Sequence, residues 1–232
     1  MSGSAVMTFN SLAAEISGWL ERETDSKLLE NIPAIIADAE SMLGRALKPL
    51  GFQTVYSSTV SKNNPVLSKP VRWRETVSLT LSVPQVITKE TGITMSAPPY
   101  RNTKVLLPRA LETVQRLLEA NPVGDPFTLP LYYADLNWTH WTIAPVPAEA
   151  YPIQMVVWER PLPLSLQAQQ NWLTINAPDL LRSACMARAS LYIKNTATAE
   201  AWRGEYTRAF GDLTAEDKRR LADRAVNPPG NT

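Results

Sequence analysis

The chain has 232 residues, a mass of 25.7 kDa and a formal net charge of +1, and 44% of its residues are hydrophobic. This composition predicts a folded chain of one or two domains, and it lacks the basic excess typical of a free-standing nucleic-acid-binding protein. A single cysteine and a single histidine exclude a disulfide framework and a multi-cysteine or His–His zinc site, so we expect a soluble protein of a reducing compartment without cofactor.

Two helices are predicted at the start of the chain. Apolar residues recur at the helical period over about Asn10–Arg22. A second apolar stripe covers Ile35–Leu47. We expect Asn31 to cap this second helix, with Pro33 in its first turn and Pro49 just after its end.

The middle of the chain shows strand patterns. Strict alternation of apolar and polar residues predicts a strand over Trp73–Ser82, and Gln53–Val60 is a weaker strand candidate. Residues 84–103 contain two consecutive prolines and are predicted as a loop or edge. A short helix is predicted near residues 107–119.

Three further strands are predicted after this helix. They cover Phe127–Tyr133, Trp138–Ala144 and Ile153–Trp158. The first two are joined by a tight connection, so we expect a small antiparallel meander.

Two helices complete the chain after a proline-stiffened linker at residues 161–170. Asn176 is predicted to cap the first, with Pro178 in its opening turn. Its apolar face is predicted to contain Cys185 and to run on to Leu191 and Tyr192. The last helix is predicted over about Thr198–Ala225.

These elements predict an α+β fold. A bundle of about four helices would form from residues 1–51 and 171–232. Residues 52–170 would form an antiparallel β-rich insertion domain with one short helix. The terminal helices share apolar stripes, which is why we expect them to pack together.

The sequence lacks the motifs of the common catalytic and nucleotide-binding sites, including the phosphate-binding loop, the nucleophile elbow and the zinc-protease helix. His140 is interpreted as a residue on a sheet face, and Cys185 as a small buried hydrophobe rather than a nucleophile. Asp135 and Glu159 are candidate paired carboxylates without a specific signal. We expect no enzymatic activity.

An aromatic group in the second half of the chain allows two interpretations. Tryptophans on one sheet face could form a platform for sugar rings, as in a carbohydrate-binding β module. Alternatively, they fill a small core. The group comprises Trp138, Trp141, Trp158, Trp172, Tyr132 and Tyr133.

A basic cluster near the end of the last helix is the candidate partner interface. It consists of Lys218, Arg219, Arg220 and Arg224. It could be a solvated helix end, a docking surface for a partner protein or a nucleic-acid contact. Glu216 can pair with Arg220 at i,i+4, which favours the first two.

Three segments carry more specific motifs. Leu28–Leu47 contains an Ile-Pro helix start and an acidic, leucine, arginine pattern near its end. Pro130–Trp158 contains a Tyr-Tyr strand, a strand closing in Ala-Pro-Val-Pro and a return strand. Asn171–Leu181 reads Asn-Trp-Leu followed by Pro-Asp-Leu, and the spacing of Trp202 and Tyr206 agrees. In this order, the segments resemble the head-to-tail adaptor (connector) proteins of short-tailed and some other tailed bacteriophages.

The resemblance implies a structural virion protein without catalytic residues. It implies a ring of about twelve copies, bound to the portal above and to tail nozzle or tube proteins below. Double-stranded DNA would pass through the ring without sequence recognition. The protein would lie in the neck between capsid and tail after assembly in the host cytoplasm, with no membrane partner. We therefore expect many exposed apolar residues on the isolated chain. A carbohydrate-binding β module of a virion surface protein and a DNA-binding packaging accessory are further hypotheses.

Overall fold

A computed structural model describes residues 6–84, 101–124 and 128–226, and these residues form an α+β fold with six helices and two sheets. The helices are α1 (Phe9–Trp19), α2 (Ser26–Ala46), α3 (Leu111–Ala120), α4 (Trp172–Asn176), α5 (Pro178–Tyr192) and α6 (Thr196–Val226). The strands are β1 (Gln53–Val60), β2 (Val66–Ser68), β3 (Trp73–Pro84), β4 (Arg101–Val105), β5 (Leu107–Pro108), β6 (Tyr132–Asp135), β7 (His140–Ala144) and β8 (Tyr151–Glu159). Contacts divide the chain into unit 1, residues 1–52 with 160–232, and unit 2, residues 53–159.

The start of α2 differs from its prediction. Asp25 caps this helix, since its side chain accepts hydrogen bonds from the N–H groups of Lys27 and Leu28. The prediction that Asn31 is the cap was wrong. Asn31 lies inside the helix, where its Nδ2 donates to the carbonyl of Lys27 at 2.8 Å. Pro33 is consequently also an interior residue rather than a first-turn residue.

The predicted cap of α5 was also wrong. Asn176 is the last residue of a short additional helix, α4, which Asn171 caps. Ala177 precedes α5 without a side-chain cap, and Pro178 occupies the first turn as predicted.

The packing of α5 and α6 follows most of the predicted apolar stripes. Cys185 is fully buried, which confirms its interpretation as a buried hydrophobe. Leu191 and Tyr192 at the end of α5 are exposed, so their predicted place on the buried face was wrong. In α6, Ala199 is buried, and α5 packs against both α2 and α6. The arrangement of these helices as a four-helix bundle stays a prediction.

Unit 2 contains two four-stranded sheets. The first has the strand order β1-β8-β3-β4 and is antiparallel throughout. The second has the order β2-β7-β6-β5, with β5 and β6 parallel. The side chains between the sheets form one apolar cluster that includes Trp141, Leu79, Leu81, Ile143 and Val157.

The predicted meander was only partly right. Strands β6 and β7 form an antiparallel pair, but β8 lies in the other sheet, between β1 and β3. The nine residues of β8 match the long strands β1 and β3 better than the five-residue β7. The chain changes sheets between Ala144 and Tyr151.

Three predicted boundaries also differ from the structure. Helix α3 begins at Leu111 because Leu107 and Pro108 form β5 instead. Of the predicted loop at 84–103, residues 85–100 lie outside the described residues, and β4 begins at Arg101. Phe127, the predicted start of a strand, also lies outside them, and β6 begins at Tyr132.

Candidate interaction surfaces

The predicted basic cluster lies in the last turns of α6. Lys218, Arg219 and Arg220 are exposed, and position 224 is in the same helix. Arg220 forms the expected ion pair with Glu216, so its charge is partly balanced. Lys218 and Arg219 lie outside the ion pairs of the described residues and present their charge to solvent.

An open apolar groove adjoins this cluster within unit 1. It has a volume of about 280 Å³ and lies between α6 and the chain that follows α2. Leu47 and Pro49 line one side, and Phe210 and Leu221 line the other. Lys218 also borders the groove. The end of α6 thus combines cationic and apolar groups, a composition suited to protein contacts.

A larger groove of about 520 Å³ lies among α2, α5 and α6. Its lining is mixed, with Met42 and Leu191 beside Tyr206 and Arg188. Arg188 pairs with Asp38, while its buried Nε has no hydrogen-bond partner. Burial raises the pKa of the Tyr206 hydroxyl.

An aromatic pair with one exposed and one half-buried ring marks another surface of unit 1. The ring centroids of Trp19 and Trp202 are 5.1 Å apart, and Trp19 is 59% exposed. Large exposed aromatic side chains are typical of residues that become buried in protein interfaces.

The tryptophans do not form the platform considered above. Trp141 is fully buried between the sheets. Trp158 lies on the opposite face of β8 from the buried Val157, and Trp172 belongs to unit 1. A carbohydrate-binding face built from these residues is therefore not supported, and the core interpretation holds for Trp141.

A lysine and three tryptophans lie together in unit 2, and sequence reasoning did not connect Lys69 and Trp73 with the other two. Trp73 contacts Trp141 and the 66% exposed Trp138 edge-on. The buried Lys69 ammonium lies 3.5 Å from the centre of the Trp73 ring and 2.6 Å from the Asp135 carboxylate. This cation–π and ionic contact holds the connection after β6.

The candidate catalytic residues have structural partners. Glu159 is buried and accepts hydrogen bonds from Thr54, Tyr56 and Arg72. His140 lies half-exposed in β7 with its Nδ1 2.8 Å from the hydroxyl of the adjacent threonine. In the described part of the chain, no group of three or more His, Cys, Asp or Glu residues could hold a metal. No helix there is long and apolar enough to cross a membrane.

A buried carboxylate in unit 1 was also missed from the sequence. Glu40, on α2, accepts hydrogen bonds from the Leu164 N–H at 3.0 Å and from the Asn171 side-chain amide. Burial raises the pKa of Glu40. The contact fixes the chain before α4 against α2. Because the partners are more than 120 residues apart in sequence, no local pattern could have shown it.

Comparison with protein families decides the identity of the chain. The family model described as SU10 adaptor protein matches residues 7–229. The chain belongs to the SU10 adaptor protein family. This confirms the resemblance to phage head-to-tail adaptors, and it makes the chain a structural adaptor protein of a bacteriophage. A search of curated proteins gave no match.

The adaptor exposes large apolar side chains in both units, as expected for a protein that other chains cover. Examples in unit 1 are Trp19 and Leu221, and examples in unit 2 are Val55, Val105 and Trp138. Such residues are candidates for burial when the adaptor assembles with other virion proteins.

Proposed function

We propose that the adaptor forms a ring of about twelve copies that joins the portal to the tail nozzle or tube and surrounds the DNA channel. The family match over residues 7–229 carries this proposal. The net charge of +1 supports a channel wall that lets double-stranded DNA slide, since tight phosphate binding needs many unbalanced cations. The ring would lie in the neck of the virion and assemble in the host cytoplasm.

We further propose that the terminal segments 1–51 and 171–232 form the ring and that residues 52–170 contact the nozzle. The end of α6, with Lys218, Arg219, Arg220 and Arg224, would contact the portal. The exposed cations beside an apolar groove support this assignment. They suit a portal surface that offers carboxylates around an apolar centre.

Cosedimentation with the portal ring of the same phage tests both proposals. The adaptor should move with the portal, and the Lys218→Glu/Arg219→Glu variant should bind roughly tenfold more weakly at low salt. Arg208→Glu is the control, because Arg208 is also an exposed arginine of α6 but lies outside the cluster.

The two proposals fail differently. If the unmodified adaptor stays at the top of the gradient, the portal-joining function is contradicted. If the unmodified chain and the charge-reversed variant bind equally, the adaptor function stands and the role of the basic cluster is wrong.

A further inference from the structure

One edge of the first sheet in unit 2 lacks the usual protection. Strand β1, Gln53–Val60, lies at the edge of the order β1-β8-β3-β4 and pairs with β8 over all eight residues without a register shift. Its sequence, QTVYSSTV, contains no charge and no proline. Sheet edges are normally protected by charges, prolines, bulges or short length, since open edges pair with other chains.

The other three edges are shorter, and one of them is also charged. Strand β2 has three residues, and β5 has two and ends in Pro108. Strand β4 has five residues, and its sequence contains Arg101 and Lys104. Among the strands that the structure describes, β1 is therefore the edge best suited to accept a further strand.

The strand directions identify which edge could pair with β1. Neighbouring strands in this sheet are antiparallel at every step, so β1 and β4 of one chain run in opposite directions. If β1 of one copy lay beside β4 of the next, the new pair would also be antiparallel. The two sheets would then continue as one with the same alternation.

The two edges also present matching apolar residues on one face. The register pairs Ser57 with Gln154, and Gln154 with Thr80. Thr80 in turn pairs with Val105. Val55 lies two residues before Ser57 and therefore on the same face as Val105. In the single chain Val55 is 56% exposed and Val105 is 58% exposed, and a joined sheet would cover both.

We propose that, besides the ring contacts assigned above to the terminal segments, β1 of one adaptor copy pairs with β4 of the neighbouring copy, so that the sheets also join around the ring. The inference rests on the proposed ring. Pairing of β1 with β1 would close a two-fold dimer and could not continue, and pairing of β4 with β4 would bring together two strands whose sequences each contain two cations and no anion. Pairing of β1 with β4 is heterologous and repeats from copy to copy, as a closed ring requires.

Cysteine cross-linking of the portal-bound adaptor tests this pairing. Thr103 is exposed on β4 and lies on the same face as Ser57, because its partner Ser82 is two residues from Thr80. Three strand spacings, roughly 14 Å, separate β1 from β4 within one chain. A bismaleimide of clearly shorter reach can therefore join Ser57→Cys to Thr103→Cys only between copies. The native Cys185 is buried and should not react.

The double-cysteine variant should give a ladder of covalent multimers, and each single variant should give none. Rings without a ladder would overturn the edge pairing while leaving the ring itself intact. A covalent dimer from Ser57→Cys alone would show that β1 pairs with β1 and would also overturn it. If no ring forms even with the unmodified adaptor, the proposed function fails and the pairing fails with it.

A charge at the junction gives an independent measurement. Val55→Lys should lower the yield of portal-bound rings by about tenfold, because the lysine would be buried beside Val105. Gln154→Lys is the matched control. It places the same charge on the same face, but in the central strand β8, whose backbone is already paired on both sides. With both variants folded by circular dichroism, equal ring yields would contradict the proposal.

Discussion

Replacing Asn171 by aspartate should strongly destabilise unit 1 at neutral pH. The Asn171 amide nitrogen donates to the buried carboxylate of Glu40 and to the carbonyl of Leu162, the latter at 2.8 Å. The amide oxygen accepts from the N–H groups of Leu173 and Thr174 and so caps α4. These four contacts fix the amide orientation, because donors and acceptors lie on opposite sides.

Aspartate would keep both cap contacts and lose both donors. It would also bring a second negative charge next to Glu40 at a site where Asn171 is only 7% exposed. Leaving a buried charge without its partner typically costs about 3–5 kcal/mol, and we expect this loss in the free energy of unfolding. Asn171→Ser is the matched control. It keeps a cap oxygen and adds no charge, so we expect a loss of about 2 kcal/mol.

The loss should depend on pH in a defined direction. Burial already raises the pKa of Glu40 above its ordinary 4.5, and a neighbouring carboxylate would raise it further. When the pKa of a carboxyl group is higher in the folded state than in the unfolded state, the free energy of unfolding falls as the pH rises from the unfolded-state pKa to the folded-state pKa. The deficit of Asn171→Asp should therefore shrink as the pH falls from neutral toward 4.5, because a protonated carboxyl group again supplies a donor.

Urea unfolding followed by far-ultraviolet circular dichroism measures this effect, since five of the six described helices belong to unit 1. The unmodified chain, Asn171→Asp and Asn171→Ser would be compared at several pH values. A deficit for Asn171→Asp that is below about 1 kcal/mol at neutral pH, less than the value of a typical charged hydrogen bond, would refute the reasoning. A deficit that does not change with pH would do the same.

Two further changes test the packing of unit 1. Gly51→Ala should lower the unfolding free energy by about 1–3 kcal/mol, because the new Cβ would lie 1.8 Å from the indole nitrogen of Trp172. Gly204→Ala, whose new Cβ meets no packing neighbour within 4 Å beyond its own stretch of helix, should instead raise it by roughly 0.5–1 kcal/mol; the same sign for both in urea titrations would contradict the packing. Iodoacetamide should alkylate Cys185 only after unfolding, because burial raises the pKa of its thiol. Labelling of the folded chain, detected by mass spectrometry, would contradict this.

Local patterns predicted most strands and helices because their signals lie within each element. Strand β3 over Trp73–Pro84 follows directly from alternation, and α1 follows from its apolar stripe. The start of α2 did not follow from local patterns alone. Asp25 and Asn31 are both of residue types that cap helices. The helix begins after Asp25, the earlier of the two, because Leu28 and Ile32 in its first turns are buried.

Strand pairing could not be read from local patterns. The alternation in β8 shows that it is a strand, but not that it pairs with β1 and β3 instead of β7. That choice depends on strand length and on contacts distant in sequence.

The candidate surfaces show the same difference between features that are contiguous in sequence and features that depend on strand pairing. Lys218, Arg219 and Arg220 are contiguous and were visible as a cluster. The shared face of Val55 and Val105 depends on three successive strand registers, so only the folded structure shows it.

Native mass spectrometry tests the central claim most directly. The portal ring of the same phage would be weighed before and after mixing with the adaptor, and the adaptor would also be weighed alone. The account predicts that the portal gains about twelve chains of 25.7 kDa, roughly 308 kDa in total. A portal of unchanged mass beside free 25.7 kDa chains would contradict it.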